Sequence, residues 1–319
     1  MSKRKASPDE APQSAAPRKP HRLRSVLTKI LVIFAFALIF FTGLCVLLYP
    51  SMSEYINEKN HSRVIDSYEQ SLGSLSKADY SAYWAAAHAY NERLAGSGQS
   101  VQDAFSAESD SETKQSGEYW DLLNVGGDGT MGYITIDKVN IKLPIYHGTS
   151  EAVLASGVGH IEGSSLPVGG ESTHAVLSAH TGLPSAELFT DVDQLAVGDT
   201  FQLHILDQVL TYQVDQILTV LPYEVDALQL VPGKDYVTLV TCTPYGVNDH
   251  RLLIRGERIE TPAADAEQAV QEVQKASEAA QPTTVRSRIF LAFTNLFEKL
   301  VTWFVKAAEW GMDLFGIEY

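Results

Sequence analysis

Twenty consecutive residues without a charge, Ile30 to Tyr49, constrain this chain more than any other feature. The run reads ILVIFAFALIFFTGLCVLLY. About 20 apolar residues in helical form span the hydrocarbon core of a bilayer. Residues 1–29 carry eight Lys/Arg against Asp9 and Glu10. A basic flank on the N-terminal side predicts a cytoplasmic N-terminus, with the rest of the chain outside. A signal peptide cleaved near Ala35-Phe36-Ala37 is the alternative. The apolar run continues well past that point, longer than a usual signal core.

The charge balance excludes one function class. The chain of 319 residues has a formal net charge of −15, but residues 1–29 hold +6 of it, leaving −21 on the remainder. A body this acidic is a poor binder of nucleic-acid phosphates, which call for a basic surface. There are two cysteines, Cys45 and Cys242, and Cys45 lies inside the apolar run. The outer region therefore holds one thiol and no disulfide pair. Its size allows a core to carry the fold alone, and a lone exported Cys reads as a reactive thiol.

Composition divides the chain into seven regions. Residues 1–29 form a basic tail rich in Ala, Pro and Ser, and 30–49 the anchor. Residues 50–96 form a helical region with apolar spacing through Val64, Ile65, Tyr68 and Leu72, then Tyr80, Trp84, Ala87, Tyr90 and Leu94. Gly73 and Ser74 break it in two. Residues 97–118 are polar and aperiodic, a long loop of the kind that serves as a lid or is disordered. From Met131 the pattern turns to short strands. They are predicted at Gly132–Ile136, Ile141–Tyr146, His174–Ala179, Phe201–Leu206, Val209–Val220, Tyr236–Thr241 and Leu252–Ile259. Many short strands with Gly and Pro in the gaps imply a barrel or a sandwich, here within 119–260. Residues 261–284 are an acidic Ala/Glu/Gln-rich spacer. Residues 285–319 hold an amphipathic helix with apolar positions at Ile289, Phe293, Phe297, Leu300, Phe304, Ala308, Met312 and Phe315. Glu298, Lys299 and Lys306 argue against a simple span. The helix either lies on the membrane surface or packs on the protein's own core.

The chemistry concentrates in Thr238-Leu-Val-Thr-Cys-Thr-Pro-Tyr-Gly-Val-Asn-Asp-His-Arg251. It reads as two strands joined by a turn-rich loop, with a thiol at one edge and a guanidinium at the other. A nearby fixed cation favours the reactive thiolate of Cys242. Arg251 stays charged and offers a fork of donors suited to a developing oxyanion. Arg255 shares its strand face and is the alternative. His180, at a strand-to-loop junction in Ser178-Ala-His-Thr-Gly-Leu-Pro184, fits a general acid or base. His147, His160, His174 and His250 are rivals, expected as loop or surface residues. No Cys-x-x-Cys pair and no His-Glu-x-x-His helix points to a metal. No Gly-rich loop follows a strand as a nucleotide site requires. No cofactor is implied.

Thr238-Leu239-Val240-Thr241-Cys242 resembles the sortase signature Thr-Leu-x-Thr-Cys, with Arg251 following at the family's type of distance. Leu143–Ser150, Gly157–His160 and Leu177–Leu183 look like further sortase segments in the family's order, and they select His180 as the catalytic histidine. The resemblance covers Tyr119 to Glu260. It implies a mostly β fold, a sortase-type closed barrel of about eight strands, with N-terminal helices, a lid loop and a C-terminal helix.

Within the family the chain is similar to class C, the pilin-polymerising sortases, whose lid carries Asp-Pro-Phe/Trp. Here Asp103-Ala104-Phe105 stands in that place, with Ala104 where the family has Pro, which should loosen the loop. The resemblance implies that Cys242 attacks the Thr–Gly bond of a Leu-Pro-x-Thr-Gly-like sorting signal, Arg251 steadies the oxyanion and His180 protonates the leaving amine. The partners implied are pilin subunits, the acceptor Lys of another pilin, and the membrane. A housekeeping, wall-anchoring sortase would lack the lid. A papain-like hydrolase would place its Cys before its His. An inactive anchored pilus scaffold or adhesion domain is the non-enzyme alternative.

Overall fold

A computed structural model describes residues 21–73, 75–97, 117–183 and 185–263, with side chains described from Lys29 onward. The lid residues Asp103 and Phe105, the spacer beyond 263 and the C-terminal amphipathic segment lie outside the described residues. The chain divides into two units, one ending at Ile56 and one beginning at Asn57.

The first helix, α1 (His21–Gly73), is continuous through Pro50. The sequence separates an anchor at 30–49 from a helical region at 50–96, and Pro50 falls at that boundary. Proline removes one i→i−4 bond and crowds the preceding turn, yet a helix strongly formed on both sides absorbs it. In the first unit, Ile30, Phe34, Phe36, Leu38 and Ile39 are all more than half exposed. Such a surface is unfavourable in water. Among the described residues this is the one helix long and apolar enough to cross a membrane, and it is compatible with a membrane anchor.

In the second unit the last turns of α1 pack on the barrel. Ile65 and Tyr68 bury themselves against Tyr133. The Tyr68 hydroxyl donates to Met131 O (3.1 Å) and accepts from Leu206 N (2.8 Å). The helix ends at Gly73, and α2 (Lys77–Ser97) follows. Ser76 and Asp79 cap its start reciprocally: Ser76 N donates to Asp79 Oδ2 and Asp79 N to Ser76 Oγ. On its buried face Ala87 is fully covered. Asn91 reads the backbone of Leu166 through both its amide atoms.

Eight strands close into a barrel: β1 (Thr130–Ile136), β2 (Ile141–His147), β3 (Val158–His160), β4 (Thr173–Ser178), β5 (Thr200–Ile205), β6 (Gln208–Val220), β7 (Asp235–Thr243) and β8 (His250–Arg258). Their order round the barrel is β1-β2-β3-β4-β7-β8-β6-β5, closed by β5 on β1. β2–β3 and β4–β7 are parallel and the remaining pairs antiparallel. Two short helices, α3 (Glu118–Asp121) and α4 (Glu151–Ser156), sit before β1 and β3.

β3 was not predicted, and its three residues explain why. They are too few to alternate, and Gly159 lowers strand propensity. The glycine is required there, because a Cβ would come within 2.5 Å of Gly148 O. The barrel interior is filled by residues such as Ile134, Ile145, Leu177, Leu203 and Leu239. A second, smaller cluster lies on the outer face of β4, β7 and β8: Ile161, Val176, Leu228, Val240 and Leu253.

Candidate active site

The long apolar alternation of β7 carries Cys242 at its C-terminal end. A tight turn then reverses the chain, with Val247 N and Asn248 N both donating to Pro244 O at 3.0 Å. The return strand β8 places Arg251 directly opposite Cys242 in the register. Directly opposed residues of an antiparallel pair project from the same face. Both are 8 % exposed. Arg251 Nη1 donates to the carbonyls of Asn248 (3.3 Å) and His250 (3.2 Å), which aims the guanidinium along the turn.

β4 lies parallel to β7 on its other side, with Ser178 level with Val240. The alignment continues past the strand end, where Ala179 N donates to Val240 O (3.2 Å) and Thr241 Oγ1 to Ala179 O (2.8 Å). Two further steps bring His180 level with Cys242. The His180 carbonyl accepts from Phe189 N at 3.0 Å, so the loop beyond it holds its backbone. Burial pushes the His180 imidazole below its ordinary pKa, and Glu151 partly opposes this. The structure therefore brings Cys242, Arg251 and His180 together at one end of three adjacent strands.

The rival histidines are placed differently. Three are not loop or surface residues as expected but are buried: His147 at 1 %, His160 at 0 % and His174 at 1 % exposure. The parallel pairings β2–β3 and β4–β7, invisible in sequence, enclose them. His147 contacts Gly129 O and Leu122 O, His160 contacts the Tyr119 hydroxyl, and His174 contacts Gln229 O and Thr238. His250 is partly exposed and paired with Asp249 at 2.7 Å. Arg255 grips Asp215 through Nε and Nη2 at 2.6–3.2 Å and lies over the Tyr236 ring at 4.2 Å. It pairs with Thr238, four residues from Cys242, which is roughly 13 Å along a strand. Arg251 is therefore the guanidinium at the thiol. Among the described residues, no group of three or more His, Cys, Asp or Glu is arranged to hold a metal ion.

Sequence reasoning missed an apolar groove that Arg251 lines on this face. The connection from β6 to β7 folds back over the outer face. Its Val225 and Leu228 face a floor of Val240 and Leu253, with Ile161 at one side and Arg251 at the end. The signal was present: Leu221, Pro222, Val225, Leu228 and Val231 are too apolar for a solvated loop.

A family model described as Sortase domain matches residues 134–259. The solved structure of sortase C-1 from Streptococcus pneumoniae is 44 % identical, covering 63 % of this chain and 100 % of that one, with a TM-score of 0.58. Sortase C1 from Streptococcus agalactiae is 48 % identical over 63 % and 100 %, with a TM-score of 0.56. Among curated proteins, Sortase A of Streptococcus agalactiae serotype III (strain NEM316) is 32 % identical over 130 residues, 40 % of this chain and 52 % of that protein. Sortase A of Bacillus anthracis is 29 % identical over 135 residues, 42 % and 61 % respectively. The chain thus spans about half to three-fifths of the curated relatives it matches. With the closed barrel and its order of strands, these likenesses show that the chain belongs to the sortase family, with class C sortases as its structural neighbours.

Proposed function

We propose that this chain is a membrane-anchored cysteine transpeptidase that joins pilin subunits. The observation that carries the reading is the cross-strand pairing of Cys242 with Arg251, with His180 level with both; Arg251 also lines an apolar groove. Cys242 Sγ attacks the carbonyl carbon of the Thr–Gly bond in a Leu-Pro-x-Thr-Gly-like signal. The neutral imidazole of His180, favoured by burial, takes the thiol proton. Arg251 donates to the tetrahedral oxyanion. The C–N bond breaks, His180 returns its proton to the departing glycine amine, and a thioester remains on Cys242. A Lys amine of another pilin attacks the thioester. It loses its proton to His180 and expels the Cys242 sulfur, which is reprotonated. The product is an isopeptide bond. The groove walls of Val225, Leu228, Val240 and Leu253 suit the Leu-Pro portion of the signal.

The same reading places the N-terminus in the cytoplasm and the barrel outside, so enzyme and membrane-held substrate share one surface and meet at high effective concentration. It gives Asp103 and Phe105 the lid role, Asp103 pairing with Arg251 and Phe105 covering Cys242. Asp103→Ala should then speed thiol labelling of Cys242, and an unchanged rate would remove the lid from the reading. The identities of 44–48 % to sortase C structures favour pilin polymerisation over wall anchoring. The direct test is mass spectrometry of the full chain in detergent with a Leu-Pro-x-Thr-Gly peptide and a Lys-bearing pilin peptide. A Cys242-dependent Thr–Lys isopeptide product is expected. A thioester resolved only by glycine-type amines would make the chain a wall-anchoring enzyme. No adduct at all would leave a scaffold.

A further inference from the structure

The β6–β7 connection forms one wall of the groove, and from Leu221 to Gln229 its own backbone hydrogen bonds are local. Glu224 N donates to Leu221 O, Leu228 N to Val225 O and Gln229 N to Asp226 O. Leu221 N is held by the carboxylate of Glu224, also within the segment. These bonds shape the wall without fixing its distance from the floor. Two things dock it. Leu228, 5 % exposed, sits in the outer apolar cluster with Val240 and Leu253. One residue later, Gln229 O meets the ring of His174 at 2.9 Å.

His174 is placed for this by the outward alternation of β4, three outward positions before His180. A carbonyl only accepts, so Nδ1 carries the proton and donates to Gln229 O. Nε2 then accepts from the Thr238 hydroxyl at 2.7 Å. The Gln229 carbonyl thereby selects the Nδ1–H tautomer, and Thr238, 1 % exposed on β7, complements it by donating to Nε2. Around the ring, Tyr236 packs edge-on at 5.7 Å, and Ser165 Oγ accepts from the His174 backbone N–H at 3.0 Å. Arg255 and Asp215 complete the surroundings, and burial keeps the ring neutral against a weaker opposing pull from the Gln229 bond.

We propose that His174 is a positioning residue for substrate binding: its Nδ1–H latches the β6–β7 wall to the barrel and sets the width of the groove that grips the apolar part of the sorting signal. The inference rests on the proposed transpeptidase reading for its kinetic consequence but not for its structural one. A latch on a binding wall acts on ground state and transition state alike, so its loss should raise KM and spare kcat.

The test compares the full chain with His174→Phe and His174→Gln. Phenylalanine keeps the ring and loses both hydrogen bonds. Glutamine retains a donor for Gln229 O and an acceptor for Thr238. Two readouts are taken: hydrogen exchange of the Val225–Gln229 amides, and steady-state kinetics with a Leu-Pro-x-Thr-Gly peptide. His174→Phe should speed the exchange and raise KM about fivefold, the scale of one buried hydrogen bond. Its kcat should stay within about twofold, and His174→Gln should recover both readouts. Unchanged exchange in a folded His174→Phe overturns the latch, and so does a His174→Gln that behaves like His174→Phe. Should His174→Phe fail to fold, His174→Met, which also lacks a donor for Gln229 O, takes its place and must loosen the same amides for the inference to stand. If the wild type forms no thioester, the transpeptidase reading fails, while the exchange comparison still decides the latch.

Discussion

The two faces of β4, β7 and β8 are built from alternating residues of the same strands and do opposite work. Inward lie Ala175, Leu177, Ala179, Val237, Leu239, Leu252 and Ile254, all in the main core. Outward lie His180, Cys242 and Arg251, the candidate chemistry, beside a smaller buried cluster of Val176, Val240 and Leu253, of which Val240 and Leu253 line the groove. A strand's period of two lets one sequence serve both, and a slip of one residue would exchange them. The candidate chemistry therefore sits on the outward positions, while the inward ones build the main core.

Outward changes test the comparison most severely. Cys242→Ala removes the only proposed nucleophile and should abolish thioester formation while leaving the thermal midpoint close to wild type. Arg251→Ala should lower kcat by about 10²–10³-fold, the usual loss of an oxyanion donor. Both are read by peptide turnover beside calorimetry. A large fall in melting temperature for Cys242→Ala would show that the outer face is not separable from the core.

The inward counterpart is Leu177→Ala. Leu177 is fully buried two residues before Ala179, so truncation leaves a cavity and should cost about 2–5 kcal/mol. Denaturant unfolding measures it. Thioester yield from the fraction still folded should stay near normal. Lost turnover in a folded Leu177→Ala would mean that core packing sets the geometry of the site itself.

Acid should act first on buried histidines away from the thiol. His160, fully buried beside Tyr119, has its pKa pushed down from 6.5 to about 4, chiefly by burial. Between those values the unfolded chain takes up a proton that the folded chain refuses. Stability is thus complete above pH 6.5, falls as pH drops toward 4, and levels below it. The loss is on the order of 3 kcal/mol. Equilibrium unfolding at pH 7.5 and pH 4.5 measures it, and His160→Gln should reduce the difference, with His204, whose pKa burial pushes down to about 3, supplying part of the remainder. An unaltered slope would assign the acid sensitivity elsewhere.

The same comparison explains what was legible in the sequence. Tyr236–Thr241 shows its strand because Val and Thr alternate with larger apolar residues, and Cys242 with Arg251 shows itself because a short Pro/Gly turn must fold one opposite the other. Those are local facts. β3 has no such pattern, and its place follows from Gly159 passing close to Gly148 O, a contact between distant segments. The burial of His147, His160 and His174 is equally non-local, since parallel pairing decides it. The groove was hidden because a loop and a strand face build it jointly. The helix through Pro50 was hidden because propensity at one residue was overridden by its flanks. Asp103 and Phe105 remain readings of sequence alone.

The smallest expected effect is the one that best separates outward chemistry from outward surroundings. Glu151, at the start of α4, raises the pKa of His180 against the stronger lowering by burial. It makes no proposed contact with substrate. Glu151→Gln keeps the shape and deletes the charge, so the His180 pKa should move further down. The neutral imidazole is the form that accepts the Cys242 proton, and turnover is lost as pH falls through the His180 pKa. Removing Glu151 should therefore carry the acidic limb of kcat/KM to lower pH and leave the plateau almost unchanged. A pH–rate profile of both proteins reads this directly. An acidic limb that stays in place would mean that a group other than His180 governs it, and the proton transfer assigned to His180 would have to be given to another residue.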